Sequence, residues 1–103
     1  MQNIPTKQEI EWMNDFPFEA IKKDPLNIRW IKKQTEKLCL KAIHYDPYAI
    51  KYVRERTLKM WIEAVKINLH LPEFVYIDEK FRVEVEQTCF ALTMMGGESS
   101  DLA

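Results

Sequence analysis

The sequence predicts an all-α fold, a small helical-repeat domain of about six to seven short helices stacked in a solenoid-like array. A pattern of 22 residues occurs twice, and Pro and Thr recur at positions typical of helix starts. The 103 residues include two Gly, too few for the turns of a sandwich or barrel. A unit this short cannot bury its apolar face alone, so successive copies are expected to pack on one another.

The repeat relates residues 18–38 to residues 40–60. A third, degenerate copy is expected at residues 62–82, where Asn68 replaces the Asp of the first two copies. Seven positions of the first two copies are identical at the constant offset: Ala20/Ala42, Ile21/Ile43, Asp24/Asp46, Pro25/Pro47, Ile28/Ile50, Thr35/Thr57 and Lys37/Lys59.

The first helix is predicted over residues 6–14. Thr6 and Glu9 match the capping box, in which a hydroxyl accepts from the N3 amide and a carboxylate accepts from the cap amide. After it, Asp15 is expected to cap the next helix and Pro17 to enter its first turn.

An Asp-Pro pair begins a short helix in each repeat. Asp24 and Asp46 supply the N-cap carboxylate, and each is followed by a proline whose missing N–H costs nothing at the first helical position. The predicted short helices cover residues 25–32 and 47–54.

A longer helix then begins in each repeat. Thr35 and Thr57 are predicted N-caps of helices over residues 36–45 and 58–68. The second helix is apolar on nearly every side, so we expect it, with Trp61, to form the centre of the core.

The C-terminal third allows two interpretations. Phe81, Val83 and Val85 alternate as in a strand, which would follow a hairpin loop at residues 78–80. We prefer a short helix near residues 73–77 and a final helix near residues 79–95, because the repeat register predicts them.

The expected single domain covers residues 1–95. Asp78 is the expected cap of the final helix, and the glycine pair at residues 96–97 is expected to end it. Residues 96–103 would then be a flexible tail.

Catalytic and metal-binding patterns are weak. His44 and Asp46 could pair as a base and its orienting carboxylate, but Asp46 is explained as a cap and no nucleophile lies in the same turn. Cys39, His44, His70 and Cys89 lack the paired spacing of zinc ligands. We therefore predict a protein that is not an enzyme and uses no metal or other cofactor.

Charge is distributed unevenly. Residues 1–21 carry a net −3, residues 22–66 a net +7 and residues 67–103 a net −5. The basic middle predicts either an acidic protein partner, including a second copy in a homodimer, or only the polar outer face that any such array needs. Because cations alternate there with Trp30 and Tyr52, nucleic-acid binding is the alternative function. The candidate basic face consists of Lys22, Lys23, Arg29, Lys32, Lys33, Lys51, Arg54 and Arg56.

Signals for export or membrane insertion are not found in the sequence. The first residues show no basic start followed by an apolar stretch, and no apolar run approaches the roughly 18 residues of a membrane span. Cys39 and Cys89 lie within apolar helical patterns, as buried free thiols do. We expect no membrane contact and a reducing cytoplasm as the location.

The order Leu-x-Ala-Ile-x-x-Asp-Pro, then x-Ala-Ile-x-Tyr-Val and a Thr-capped restart, resembles a domain-of-unknown-function family of short tandem helical repeats common in bacteriophage proteins. The resemblance covers about residues 16–77. It implies an α-helical repeat fold and a viral origin, and it carries no catalytic residue. It suggests a phage-encoded factor that binds a host protein in the host cytoplasm and inhibits or redirects it.

Trp61→Ala should lower the free energy of unfolding by about 3–5 kcal/mol, since it removes a large side chain from the centre of the predicted core. Urea unfolding followed by circular dichroism measures the loss. A decrease below about 1 kcal/mol would mean that Trp61 lies at the surface.

Overall fold

The computed structural model describes the backbone of residues 4–102 and the side chains of residues 4–94. These residues form helices and contain no β-strand, so the predicted all-α class is confirmed. The α-helices are α1 (Lys7–Asp15), α2 (Pro17–Lys23), α3 (Glu36–Tyr45), α4 (Leu58–Ile67) and α5 (Arg82–Leu102). Short 3-10 helices cover Pro25–Trp30, here called the Pro25 segment, Pro47–Tyr52, called the Pro47 segment, Leu71–Glu73 and Glu79–Phe81.

The helices pack in the order in which the chain makes them. Helix α1 contacts α2, α2 contacts α3, α3 contacts α4, and α4 contacts α5. The Pro25 and Pro47 segments also pack on each other. The principal dimensions of the chain are 49 × 33 × 29 Å. One side of the stack is therefore built from the 3-10 segments of consecutive repeats.

The predicted capping box of α1 is confirmed. The Glu9 amide donates to Oγ1 of Thr6 at 3.1 Å, and the Thr6 amide donates to Oε1 of Glu9 at 2.7 Å. Asp15, however, does not cap α2. It is the last residue of α1, and its helical conformation leaves Phe16 as the cap residue, without a side-chain cap bond, before Pro17.

The Asp-Pro starts are confirmed and nearly identical in the two repeats. The Asp24 carboxylate accepts from the Leu26 amide at 3.0 Å, and Asp46 accepts from Tyr48 at 3.0 Å. The backbone angles φ and ψ are −156° and 110° at Asp24 and −156° and 108° at Asp46. The sequence repeat is thus also a repeat of local structure.

The Pro25 and Pro47 segments end two residues earlier than predicted. Residues Ile31 and Val53 are extended and buried, which stops each segment before its last apolar side chain. Thr35 and Thr57 cap α3 and α4 as predicted, each accepting from the amide three residues later at 3.2 Å.

The third copy keeps the cap, but only the short 3-10 helix Leu71–Glu73 follows it. Asn68 accepts from the His70 amide at 3.0 Å, so it replaces the Asp of the first two copies in function. The predicted helix near residues 73–77 is wrong. Val75 and Ile77 are both buried while Tyr76 between them is exposed, an alternation that extended backbone allows and a helix does not.

The final helix begins near the predicted residue but ends later. A 3-10 turn at Glu79–Phe81 leads into α5, which continues through the glycine pair to Leu102. No described glycine has the positive φ of a helix-ending cap, and glycine inside a helix costs only about 1 kcal/mol. The predicted end at residues 96–97 is wrong, and residues 96–102 are helical where we predicted a flexible tail. Ala103 lies outside the described residues.

Helix α4 lies at the centre of the core, as predicted. It contacts α3, α5 and the Pro47 segment, and Trp61 is fully buried. Its apolar surface is not entirely covered, since Ile67 at its end is exposed. Its buried residues are Met60, Trp61, Ala64 and Val65.

A side-chain amide joins α1 to the first repeat. Nδ2 of Asn14 donates to the Trp30 carbonyl at 3.1 Å, and Oδ1 accepts from the Lys32 amide at 2.8 Å. The side-chain amide therefore hydrogen-bonds to the main chain on both sides of extended Ile31, as the backbone of a neighbouring strand would. We call this pair of bonds an amide clamp.

Gln34 makes the same amide clamp one layer further on. Its Nε2 donates to the Tyr52 carbonyl at 3.0 Å, and its Oε1 accepts from the Arg54 amide at 2.9 Å, on both sides of extended Val53. The same Nε2 also donates to the Ile28 carbonyl at 2.8 Å. Consecutive layers are therefore joined by equivalent polar contacts between their loops.

An ion pair replaces the amide clamp in the third layer. Arg56, which follows Gln34 by one repeat length, donates from Nε and one terminal nitrogen to the Asp78 carboxylate, both at 2.8 Å. The indole of Trp61 donates to the same carboxylate at 2.9 Å. The guanidinium of Arg56, more than any other group, lowers the pKa of Asp78 to about 2. The partly exposed Asp78 carboxylate is thus used by Arg56 and Trp61, and it makes no cap bond at the start of the final helix, contrary to the prediction.

Gln34→Ala should lower the free energy of unfolding by about 2–3 kcal/mol, because the Tyr52 carbonyl and the Arg54 amide lose their partner and the Ile28 carbonyl keeps only the bond from Ile31. Urea unfolding measures this loss. Gln87→Ala is the matched control, since the Gln87 side chain is exposed and makes no hydrogen bond within the described side chains. Equal stability of the two variants would show that the amide clamp contributes nothing.

Acid should destabilise the protein through Asp78. The pKa of Asp78 is lower in the folded chain than the ordinary 3.8. Its ionised carboxylate therefore adds to the free energy of unfolding above pH 3.8, and this contribution is lost as the pH falls through about 2. The loss between about pH 5 and pH 2 should reach about 2 kcal/mol.

Asp78→Asn should remove this part of the pH dependence and make the protein less stable at neutral pH. Asp15→Asn, at an exposed carboxylate that makes no hydrogen bond or ion pair within the described side chains, is the matched control for the loss of a carboxylate. Chemical unfolding at a series of pH values gives both curves. Parallel curves for wild type and Asp78→Asn would contradict the assignment.

Candidate functional site: an aromatic and basic edge

The side of the stack formed by the two 3-10 segments exposes aromatic rings. Trp30 ends the Pro25 segment and Tyr52 ends the Pro47 segment, at equivalent positions of the repeat. Both rings pack against the core but remain partly exposed. The amide clamps hold the carbonyls of these same two residues, so the clamps also fix where the rings lie.

Cations lie over these rings. The guanidinium carbon of Arg29 is 5.1 Å from the Trp30 ring centre and 5.2 Å from the Tyr52 ring centre. Nζ of Lys51 is 5.9 Å from the centre of Tyr52. These distances are those of cation–π contacts. Arg29, Trp30, Lys51 and Tyr52 therefore form one surface, which we call the aromatic edge.

A cleft of about 600 Å³ adjoins the aromatic edge between α1 and the Pro25 segment. Trp12 and Trp30 line it, together with the side chain of Met13. Lys23 lines it as well, with Nζ 5.9 Å from the Trp12 ring centre. The volume is within the usual range of ligand pockets, although this one is open.

Two carboxylates also line the cleft, but each already accepts a main-chain hydrogen bond at the start of a helix. Glu9 accepts from the Thr6 amide, and Asp24 accepts from the Leu26 amide. Among the described side chains, neither Lys23 nor Arg29 lies within 4.0 Å of a carboxylate oxygen. The cleft therefore offers aromatic faces and two cations that form no ion pair within the described side chains.

The predicted basic face is divided by the structure. Arg54 donates to the carbonyls of Ile31 and Lys32 at 2.8 and 2.6 Å, and Arg56 is paired with Asp78. Because these two guanidinium groups hold loops together, we remove them from the candidate surface. The remaining predicted residues are exposed: Lys22, Lys23, Arg29, Lys32, Lys33 and Lys51.

Lys32 also lies apart from the aromatic edge. It shares a shallow depression with Glu11 and Asp15, and its amide is held by Asn14. Two carboxylates therefore line the same depression as the Lys32 side chain. The cations that accompany aromatic rings on this side are Lys23, Arg29 and Lys51.

Sequence reasoning missed Trp12, Asn14 and Gln34. Trp12 belongs to the apolar residues of α1, yet it is 39% exposed while the adjacent Met13 is buried. Ile10 and Met13 are three residues apart and share one helix face, whereas Trp12 lies off that face, and this spacing is the signal that could have placed Trp12 outside. No comparable signal points to the two amides, because their partners are distant in sequence.

The side chains that could serve in catalysis are either bonded to carboxylates on the surface, as the two histidines are, or buried, as Cys39 is. His44 pairs with Glu63 at 3.1 Å, and this bond is the main cause of the lowered pKa of Glu63. His70 pairs with Glu73 at 2.9 Å on the surface. Burial raises the pKa of the Cys39 thiol to about 11, which disfavours the reactive thiolate.

The described part of the chain contains no cluster of three or more His, Cys, Asp or Glu side chains able to hold a metal ion. None of its helices combines the length and the hydropathy that crossing a bilayer requires.

A second apolar surface lies on α5. Val83, Phe90 and Met94 are 61%, 68% and 56% exposed, and their spacing places them on one side of the helix. Val85 and Cys89 occupy the side that faces α4. The molecule therefore exposes apolar side chains at both ends of the stack.

Comparison with known proteins found no match, whether with family models, with curated proteins or with solved structures. The resemblance to phage repeat proteins stays a prediction.

Proposed function

We propose that this chain is a non-enzymatic protein-binding module that receives an acidic partner on the aromatic edge and the adjoining cleft. The observation that carries the proposal is that Lys23, Arg29 and Lys51 each lie over a partly exposed aromatic ring. Among the described side chains, none of these cations is paired with a carboxylate.

The composition of this surface supports a protein partner. Trp, Tyr and Arg are the residue types most enriched among those that dominate binding energy at protein interfaces. Here Trp30 and Tyr52 are anchored by core packing and by main-chain clamps, Arg29 lies over both rings, and Trp12 lines the adjoining cleft. Rigid side chains lose little conformational entropy when a partner binds.

Nucleic acid is the second candidate, because bases stack on aromatic rings and phosphates bind cations. A strand needs a continuous basic path, however. Arg54 and Arg56 are used inside the fold, and Lys32 lies beside Glu11 and Asp15. The interrupted path favours a compact acidic segment of a protein.

The resemblance to phage repeat proteins supports a protein of the host cell as the partner. A phage factor of this kind acts in the host cytoplasm, where it binds a host protein and inhibits or redirects it. The basic middle of the sequence fits an acidic surface on such a protein.

The double variant Lys23→Glu/Arg29→Glu should lose the partner that the wild-type chain captures from host lysate, because it reverses two charges beside the cleft. Quantitative mass spectrometry of affinity-captured protein measures the loss. Lys37→Glu/Lys59→Glu is the control, since it makes the same change in net charge at exposed, repeat-equivalent positions away from the aromatic edge.

Two results would overturn the proposal. One is equal capture of the same partner by both double variants, and the other is nuclease-sensitive capture, which would indicate a nucleic acid. Light scattering of the purified chain at low and high salt distinguishes a second copy of the chain from a foreign partner.

A further inference from the structure

Arg29 differs from the other arginines of the chain in how its guanidinium group is used. Arg54 donates to main-chain carbonyls, Arg56 to a carboxylate and a carbonyl, and Arg82 to a carboxylate. Within the described side chains, the guanidinium of Arg29 makes no hydrogen bond to the protein. Its N–H donors are therefore satisfied by solvent or by a ligand.

Arg29 is nevertheless held in place. Its guanidinium carbon lies within 5.2 Å of the ring centres of both Trp30 and Tyr52, which belong to consecutive repeats. These rings are fixed by core packing and by the amide clamps on their own carbonyls. A planar group held by two rings keeps its N–H fork available and loses less entropy on binding than a mobile side chain does.

We propose that Arg29 is a carboxylate receptor: it pairs with an Asp or Glu side chain of the partner, whose neighbouring aromatic side chain enters the cleft between Trp12 and Trp30. This inference rests on the proposed function and names the chemistry that the same surface recognises. Lys51, on the far side of Tyr52, supplies a second positive charge for a further carboxylate.

The charges of the cleft explain why the partner alternates acidic and aromatic groups. Lys23 and Arg29 lie at the cleft together with Glu9 and Asp24, so the formal charges there cancel. A neutral ring is accepted in such a site between the two indoles, whereas a second anion would meet the two carboxylates. Once Arg29 is paired with the partner's carboxylate, Lys23 alone faces Glu9 and Asp24, and the remaining positive charge of the aromatic edge is Lys51, outside the cleft.

The same arrangement disfavours a nucleic-acid strand. Each nucleotide carries a phosphate, so a base inserted between Trp12 and Trp30 would bring its own phosphates toward Glu9 and Asp24. A peptide can place its charges on one side of the ring only. An Asp or Glu carboxylate also matches the planar fork of Arg29 with two parallel hydrogen bonds.

The test uses the full-length chain and a fluorescent peptide in which Phe is preceded by two Gly residues and followed by two Glu residues. The control probes are the same peptide with Ala in place of Phe, the same peptide with Gln in place of Glu, and a ten-nucleotide oligothymidylate. Fluorescence anisotropy gives the dissociation constants. The indole N–H signals of Trp12, Trp30 and Trp61 in nitrogen-15 spectra report the place of binding.

The Phe peptide should bind more tightly than its Ala and Gln counterparts and than the oligonucleotide. The signals of Trp12 and Trp30 should shift. That of Trp61, which is buried and donates to Asp78, should stay in place and show that the fold is intact. Arg29→Lys should weaken binding about ten- to a hundredfold, because Lys keeps the charge but lacks the planar fork. Lys37→Arg, an exposed conservative control, should bind like wild type.

The inference is overturned if Arg29→Lys binds the Phe peptide like wild type, if the oligonucleotide binds more tightly, or if the peptide does not bind. These results are distinct from failure of the proposed function. If Arg29→Lys still captures the protein partner that Lys23→Glu/Arg29→Glu loses, the binding surface is correct and the receptor role of Arg29 is wrong.

Discussion

The amide clamp is the contact on which the rest of this structure depends. In each of the first two layers, a side-chain amide holds the main chain on both sides of one extended residue, Ile31 or Val53. That extended residue points its own side chain into the core and stops the 3-10 segment before it. The aromatic residue just before it is thereby kept at the edge. In each of these layers, the two hydrogen bonds of one clamp therefore position the buried residue, the loop and the aromatic ring of the candidate binding surface.

Local hydrogen bonds were predictable at most helix starts, with Asp15 and Asp78 as exceptions, whereas distant ones were not. The caps at Thr6, Asp24 and Thr35 join groups two or three residues apart, so residue type and spacing suffice to predict them. The clamps of Asn14 and Gln34 reach 16 to 20 residues along the chain. The two amides are also 20 residues apart, not 22, so alignment of the repeats does not pair them.

The candidate site was predictable in its composition but not in its limits. Charge and repeat position indicate a basic and aromatic middle, but they do not show which cations the fold itself uses. Arg54 and Arg56 serve as loop contacts, while Arg29 remains open between two rings. Trp12 comes from outside the repeat and joins the site only because α1 packs beside the Pro25 segment. Such assignments need the three-dimensional contacts.

The difference between the amide clamps and the Arg56–Asp78 ion pair decides which substitutions the loops tolerate. An amide clamp needs one main-chain carbonyl and one main-chain N–H from the loop it joins, and every residue except proline supplies both. The side chains at residues 52 and 54 can therefore change without loss of the Gln34 clamp. The ion pair needs one particular carboxylate, and Trp61 donates to the same group. A substitution at Asp78 thus removes the partner of two side chains at once.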